Sequence, residues 1–195
     1  MRSWIGLAFV FAVGCTNEER PVPAGHQRHR SKVLGMEVDL PDRFVVLDPT
    51  VLMDTLDERS VRYLSHDTLA LPLALLLGYD AAVIAIDTLN RDVTIGLFPT
   101  PRVSLDLRTA NKTFDILTLQ ARRIQQHTGR EVAILGRDLV IDGPVHYLRI
   151  KAHLPHHGLY HYPHVITHGS RSMVMHYFTR GANDPVQVVE SVRSY

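Results

Sequence analysis

The sequence predicts an α+β domain in which helices pack on an antiparallel sheet. Three observations predict it. Short alternating apolar runs follow one another through hairpin-length gaps between residues 131 and 179. One clearly amphipathic helix precedes them. Asp-Pro pairs at 48–49 and 184–185 mark two further helix starts. Hairpin connections join antiparallel strands, and a sheet with one apolar face needs a covering layer.

From Val33 the pattern is that of a folded domain. Met36, Val38 and Leu40 alternate with polar residues, a strand signal, and Pro41-Asp42-Arg43 turns the chain into a second strand over Phe44–Leu47. After Asp48-Pro49, Leu52, Leu56 and Tyr63 share a helical face, so the reading is a helix over 49–64. The apolar run Asp67–Leu77 ends at Gly78, a C-cap residue, with Pro72 inside it. Strands follow at Ala81–Asp87 and Val93–Phe98, turning at Asn90-Arg91-Asp92.

Asn111 or Thr113 caps the clearest helix, where Phe114, Leu117, Ala121 and Ile124 line one face and Gly129 stops it. Strands are predicted at Glu131–Leu135, Leu139–Ile141 after a Gly136-Arg137-Asp138 turn, Val145–Leu154, Leu159–His168 and Met173–Thr179. Val186, Val189 and Val192 face one way in a final short helix.

The chain has 195 residues, 21 basic and 20 acidic, one cysteine and twelve histidines. A formal charge of +1 argues against a dedicated nucleic-acid binder, which needs a basic excess. A single cysteine excludes an internal disulfide and Cys-rich metal modules.

Arg2 precedes an apolar run from Trp4 to Val13. As a helix it reaches about 15 Å, half of a roughly 30 Å hydrocarbon core, so it suits a secretory signal rather than a span. Ala12-Val13-Gly14 leads directly into Cys15. This stretch resembles the lipobox of bacterial lipoproteins, which implies cleavage of residues 1–14 and lipidation of Cys15. A plain signal peptide or a short anchor is the alternative. Thr16 in place of an aspartate favours an outer-membrane anchor facing the periplasm. Loss of Arg2 leaves 20 basic and 20 acidic residues, so the expected membrane link is the acyl chains rather than charge. Residues 15–32 contain one bulky aliphatic, Val22, and read as the lipidated cysteine and a flexible linker, followed by one domain over 33–195.

The strand–Leu-Pro-Asp–strand unit at 38–47, the long helix leading into Gly-Arg-Asp-Leu-Val-Ile-Asp-Gly at 136–143, the meander and Val-Glu-Ser-Val-Arg-Ser at 189–194 are similar to the PsbP-like or DcrB-like family of small α/β/α sandwich proteins. The resemblance spans roughly 33–195. It implies a fold and a binding or assembly role, and it transfers no catalytic residues.

Eight histidines lie within residues 146–176. Zinc, nickel or copper is the ligand class such clustering suggests. On one strand, residues four apart are about 13 Å distant, too far to share an ion held at roughly 2.1 Å from each nitrogen. A site must therefore form at the loop of a hairpin pairing Ala152 with His161 and His153 with Tyr160. Its candidate ligands are His153, His156, His157 and His161. A second turn at Ser170-Arg171 would pair Val165 with His176. One face of the meander then carries Leu148, Ile150, His146, His161 and His176 as a core face. The other carries Tyr147, Tyr160, Tyr162, His164, His168 and Tyr177, a partner surface if no helix covers it.

Ser65-His66-Asp67 has triad residue types, but a triad is spatial, not sequential. Tyr147-x-x-x-Lys151 lacks an accompanying dinucleotide fingerprint. Nucleophile-elbow, P-loop and His-Glu-x-x-His motifs do not occur. The sequence therefore reads as a lipid-anchored envelope protein with a non-catalytic binding or assembly role, whose partner is another envelope protein. The alternatives are a periplasmic metal-binding protein and a hydrolase with an unrecognised site.

Overall fold

The computed structural model describes residues 20–50, 70–78, 80–90, 92–181 and 185–195. Strands β1 (His26–Ser31), β2 (Met36–Pro41) and β10 (Arg193–Ser194) form a small antiparallel sheet in the order β1-β2-β10. Strands β3 (Phe44–Leu47), β4 (Val83–Asp87), β5 (Thr94–Pro99), β6 (Ala133–Val140), β7 (Val145–Leu154), β8 (Leu159–His168) and β9 (Arg171–Thr179) form a larger one. Its order is β3-β4-β5-β9-β8-β7-β6, antiparallel throughout. The described helices are α1 (Ala70–Gly78), α2 (Leu107–Thr128) and the short α3 (Val186–Glu190).

The architecture is sheet-dominated, and among the described residues α1 and α2 cover one face of the large sheet. Leu73 and Leu76 of α1 pack on Ile84, Phe98 and Phe178. Ala110, Phe114 and Leu117 of α2 pack on Leu148 and Ile150. The opposite face meets the small sheet and α3. There Met36, Val38, Leu40, Val189 and Val192 close over Ile95, Tyr147, Ile166 and Met175, which makes the main core an inter-sheet layer. The first strands and the last residues of the chain thus cover the same face.

Several sequence expectations change here. Residues 26–31 are a strand, not linker. Their apolar content is low because the strand is held by charge pairing: Arg28 and Arg30 stand opposite Asp39 and Glu37. Arg28 grips Asp39 in a bidentate pair, Nε–Oδ1 2.8 Å and Nη2–Oδ2 3.1 Å. The predicted turn at 136–138 is absent. A single strand, β6, runs through it, with a bulge between Ile134 and Gly136 that leaves Leu135 exposed.

Helix α2 begins at Leu107, because Asp106 accepts from the Thr109 N–H at 2.6 Å. Its C-terminus is the predicted Gly129, in the left-handed conformation at φ 68°. Helix α3 ends at Glu190, so Arg193 and Ser194 pair with Glu37 and Met36 instead of continuing a helix. Asp48 does act as a cap, accepting from Thr50 N and Oγ1. Most of the helix expected over 49–64, and Ser65-His66-Asp67, lie outside the described residues, as do Cys15 and residues 1–14.

The β7–β8 hairpin pairs Ala152 with His161 and His153 with Tyr160, as the sequence predicts. The β8–β9 turn is displaced: Val165 pairs with Val174, not His176. That two-residue shift leaves each side chain on its predicted face, since strand periodicity is two.

Candidate functional site

Tyr147, Tyr162, His164 and Tyr177 all point into the inter-sheet layer and are buried. They are not an open partner surface. The small sheet and the short helix α3 cover that face. His164 is fully buried, its Nδ1 2.9 Å from the Tyr162 carbonyl oxygen. Among the described residues, neither its Nε2 nor the Tyr162 hydroxyl has a hydrogen-bond partner. Burial drives the His164 pKa down to about 3, against the opposing effect of that carbonyl.

Tyr160 and His168 are only partly buried, and both are engaged. His153 stacks on Tyr160 at 4.6 Å, and the Lys151 ammonium sits 5.7 Å and 5.8 Å from the Tyr160 and Tyr162 rings. His168 Nδ1 accepts the Ser194 backbone N–H at 3.0 Å, with Ser194 Oγ at 2.9 Å, and so fastens β10 to the turn after β8.

The four candidate metal ligands do not converge. His153 and His161 occupy successive pairs of one hairpin, so they point to opposite faces of the sheet. His156 and His157 sit in a one-turn 3-10 helix at the tip, rings edge to face at 5.2 Å. Among the described residues no group of three or more His, Cys, Asp or Glu side chains could hold an ion.

His161 instead meets His176 on the helix-covered face. Its Nε2 lies 2.8 Å from His176 Nδ1, and its ring lies flat on Phe178 at 4.3 Å. Tyr147 and Lys151 share a sheet face without a nucleotide-binding loop near them; their neighbours are aromatic rings and Arg149, which pairs with Asp138.

A further cavity lies elsewhere, where the chain crosses between the sheets. It encloses about 380 Å³. The β2–β3 turn, the β4–β5 turn and the start of α3 build it. Thr88 N and Oγ1 both donate to the Arg43 carbonyl oxygen at 2.8 Å, which binds the two turns together. Asp87 is buried, and its Oδ1 accepts from Leu89 N at 2.9 Å and Asn90 N at 3.0 Å. Its Oδ2 stands 2.8 Å from Arg43 Nε.

Arg43, Asn90, Tyr177 and Gln187 reach the cavity over an apolar floor of Phe44, Val93 and Val188. Burial lifts the Tyr177 pKa to about 12. In sequence, Pro41-Asp42-Arg43 and Asn90-Arg91-Asp92 are two separate turn signals. The usable signal was the isolated Asp87 three residues before Asn90, an acid able to cap a turn.

No family model matches the chain, and no curated protein matches it. Among solved structures, the chain is similar to cyanobacterial PsbP (CyanoP) from Synechocystis sp. PCC 6803, with a TM-score of 0.53 and 12% identity over 94% of this chain and 99% of that one. At that identity the likeness is one of fold. It agrees with the PsbP-like resemblance read from the sequence.

Proposed function

We propose that the chain is an envelope-anchored bacterial lipoprotein whose domain has a non-catalytic binding or assembly role, with another envelope protein as its partner. The observation that carries the anchoring is the place of Cys15, the sole cysteine, directly after the apolar run Trp4–Val13. With β1 starting at His26, only about ten residues separate the acyl-bearing cysteine from the folded domain. That tether reaches at most roughly 35 Å, so the domain works close to the membrane.

The PsbP-like fold supports the non-catalytic role. So does the packing of His161, His164, His176, Tyr147, Tyr162 and Tyr177 within the interior. Tyr147, Tyr162, His164 and Tyr177 are interior and offer that partner no open surface.

Intact-mass measurement and membrane fractionation test the anchoring. Wild type is expected in the membrane fraction, with a mass matching cleavage before Cys15 plus acyl chains. Cys15→Ser is expected to lose both properties. An unchanged mass and fractionation in Cys15→Ser would overturn it.

A further inference from the structure

The corner cavity has an uneven supply of hydrogen-bonding groups. Asp87 is spent: two backbone N–H groups and the Arg43 guanidinium already surround its carboxylate. Its charge is therefore balanced in place. The Arg43 side chain is itself 54% exposed, and its terminal nitrogens have no other partner among the described residues.

Tyr177 lines the cavity with its ring buried, and its hydroxyl makes no hydrogen bond to a described residue. Asn90 uses its side-chain oxygen to accept from Asp92 N at 3.3 Å, which leaves its amide N–H groups. What Arg43 and Asn90 leave unspent is donors, and the Tyr177 hydroxyl and the Gln187 amide each add one that can donate. These donors meet water at the cavity mouth, where a ligand that offers acceptors takes the place of that water.

The floor has the opposite chemistry. Phe44, Val93 and Val188 belong to the inter-sheet core and continue it to the cavity mouth. About 380 Å³ falls within the roughly 300–1,000 Å³ usual for small-molecule sites. An apolar floor beneath a donor-rich rim fits a molecule with an apolar body and an anionic head.

We propose that the corner cavity binds a small amphipathic carboxylate. Its head pairs with the Arg43 fork and the Tyr177 hydroxyl, and its body packs on Phe44, Val93 and Val188. The planar guanidinium suits a carboxylate bidentately. The Arg43 terminal nitrogens become the site of specificity, and Asp87 becomes the residue that holds the guanidinium in place. This deepens the binding role proposed above and rests on it, but its test reads ligand contact alone, whatever the state of Cys15.

The full chain, labelled with ¹⁵N, is titrated with 3-phenylpropionate and, separately, with its neutral amide. Saturable shifts are expected at residues 42–44, 87–93, 177 and 186–188, with the amide at least about tenfold weaker. Arg43→Gln is expected to weaken the acid about tenfold and to leave the amide unchanged. Should that variant fail to fold because Asp87 loses its counter-ion, Tyr177→Phe keeps the ring and removes one donor, and a weakening of about threefold or more is expected. Equal affinity for acid and amide, shifts centred elsewhere, or no saturation by about 10 mM overturns the proposal.

Discussion

His161 Nε2 and His176 Nδ1 face each other at 2.8 Å, with their rings stacked at 5.0 Å and tilted by only 19°. One nitrogen must present a proton and the other a lone pair, so the pair is built for neutral imidazoles. A second proton would set N–H against N–H. Burial depresses both groups, His161 well below the ordinary histidine range and His176 to about 4. His164, on the other face of the sheet, falls to about 3 for the same reason.

Stability is therefore expected to fall with acidity. A histidine with a lowered folded pKa binds fewer protons folded than unfolded once the pH drops below about 6.5. Its stabilising effect is whole above that pH and is lost as the pH falls towards 4. Three such groups give up to about 4 kcal/mol per pH unit, since each protonation step is worth about 1.4 kcal/mol per unit. Urea denaturation between pH 7 and pH 5 checks this. A midpoint that stays constant over that range contradicts the buried, neutral state of these rings.

The paired histidines can be separated from His164 by substitution. The double variant His161→Phe, His176→Leu is expected to remove two of the three protons from the acid-dependent slope. The single variant His176→Leu strands His161 Nε2 and is expected to cost about 1–3 kcal/mol at pH 7. A double variant with the wild-type slope would place the titrating groups elsewhere.

The Arg28–Asp39 pair should matter more than its position on an outer strand suggests. Asp39 is 4% exposed, so Arg28→Ala leaves a buried carboxylate without its bidentate partner. A loss of about 3 kcal/mol is expected. Adding Asp39→Leu to the same chain is expected to recover part of it, because the stranded charge is then gone. Chemical denaturation of the two variants measures both.

Gly96 of β5 is required for close approach rather than for backbone freedom. A Cβ placed there would lie 2.2 Å from Leu76 Cδ2 of α1, and Leu76 is itself buried. Gly96→Ala is expected to destabilise by about 1–3 kcal/mol through overpacking. Combining it with Leu76→Ala, which clears the space, should cost less than the sum of the two single changes.

At the hairpin tip, His156→Ala with His157→Ala is expected to change stability by no more than about 0.5 kcal/mol. Added zinc should leave the melting temperature of wild type and variant alike. A zinc-dependent rise lost in the variant would restore the tip as a metal site.

Much of the architecture is legible in the chain. The β7–β8 register follows from where Pro155 and Gly158 put the turn, and face assignment follows from period-two alternation, which even survived the displaced β8–β9 turn. Strand β1 was not legible, because Arg28 and Arg30 reveal a strand only when Glu37 and Asp39 stand beside them. The corner cavity was illegible for a similar reason. Arg43, Asp87 and Tyr177 lie far apart in sequence, and nothing local to any one of them requires the others.

By itself the sequence determined the antiparallel α+β class, the β7–β8 pairing and the nearness of Cys15 to an apolar run. These rest on periodicity and adjacency, which are local properties. Only the tertiary structure decided that the tyrosine- and histidine-bearing face is interior, that His153 and His161 part company while His161 finds His176, and that a donor-rich cavity opens at the crossing between the sheets. Each of those depends on which distant segment returns to cover a given face, and that choice belongs to the packing of layers rather than to any stretch of chain.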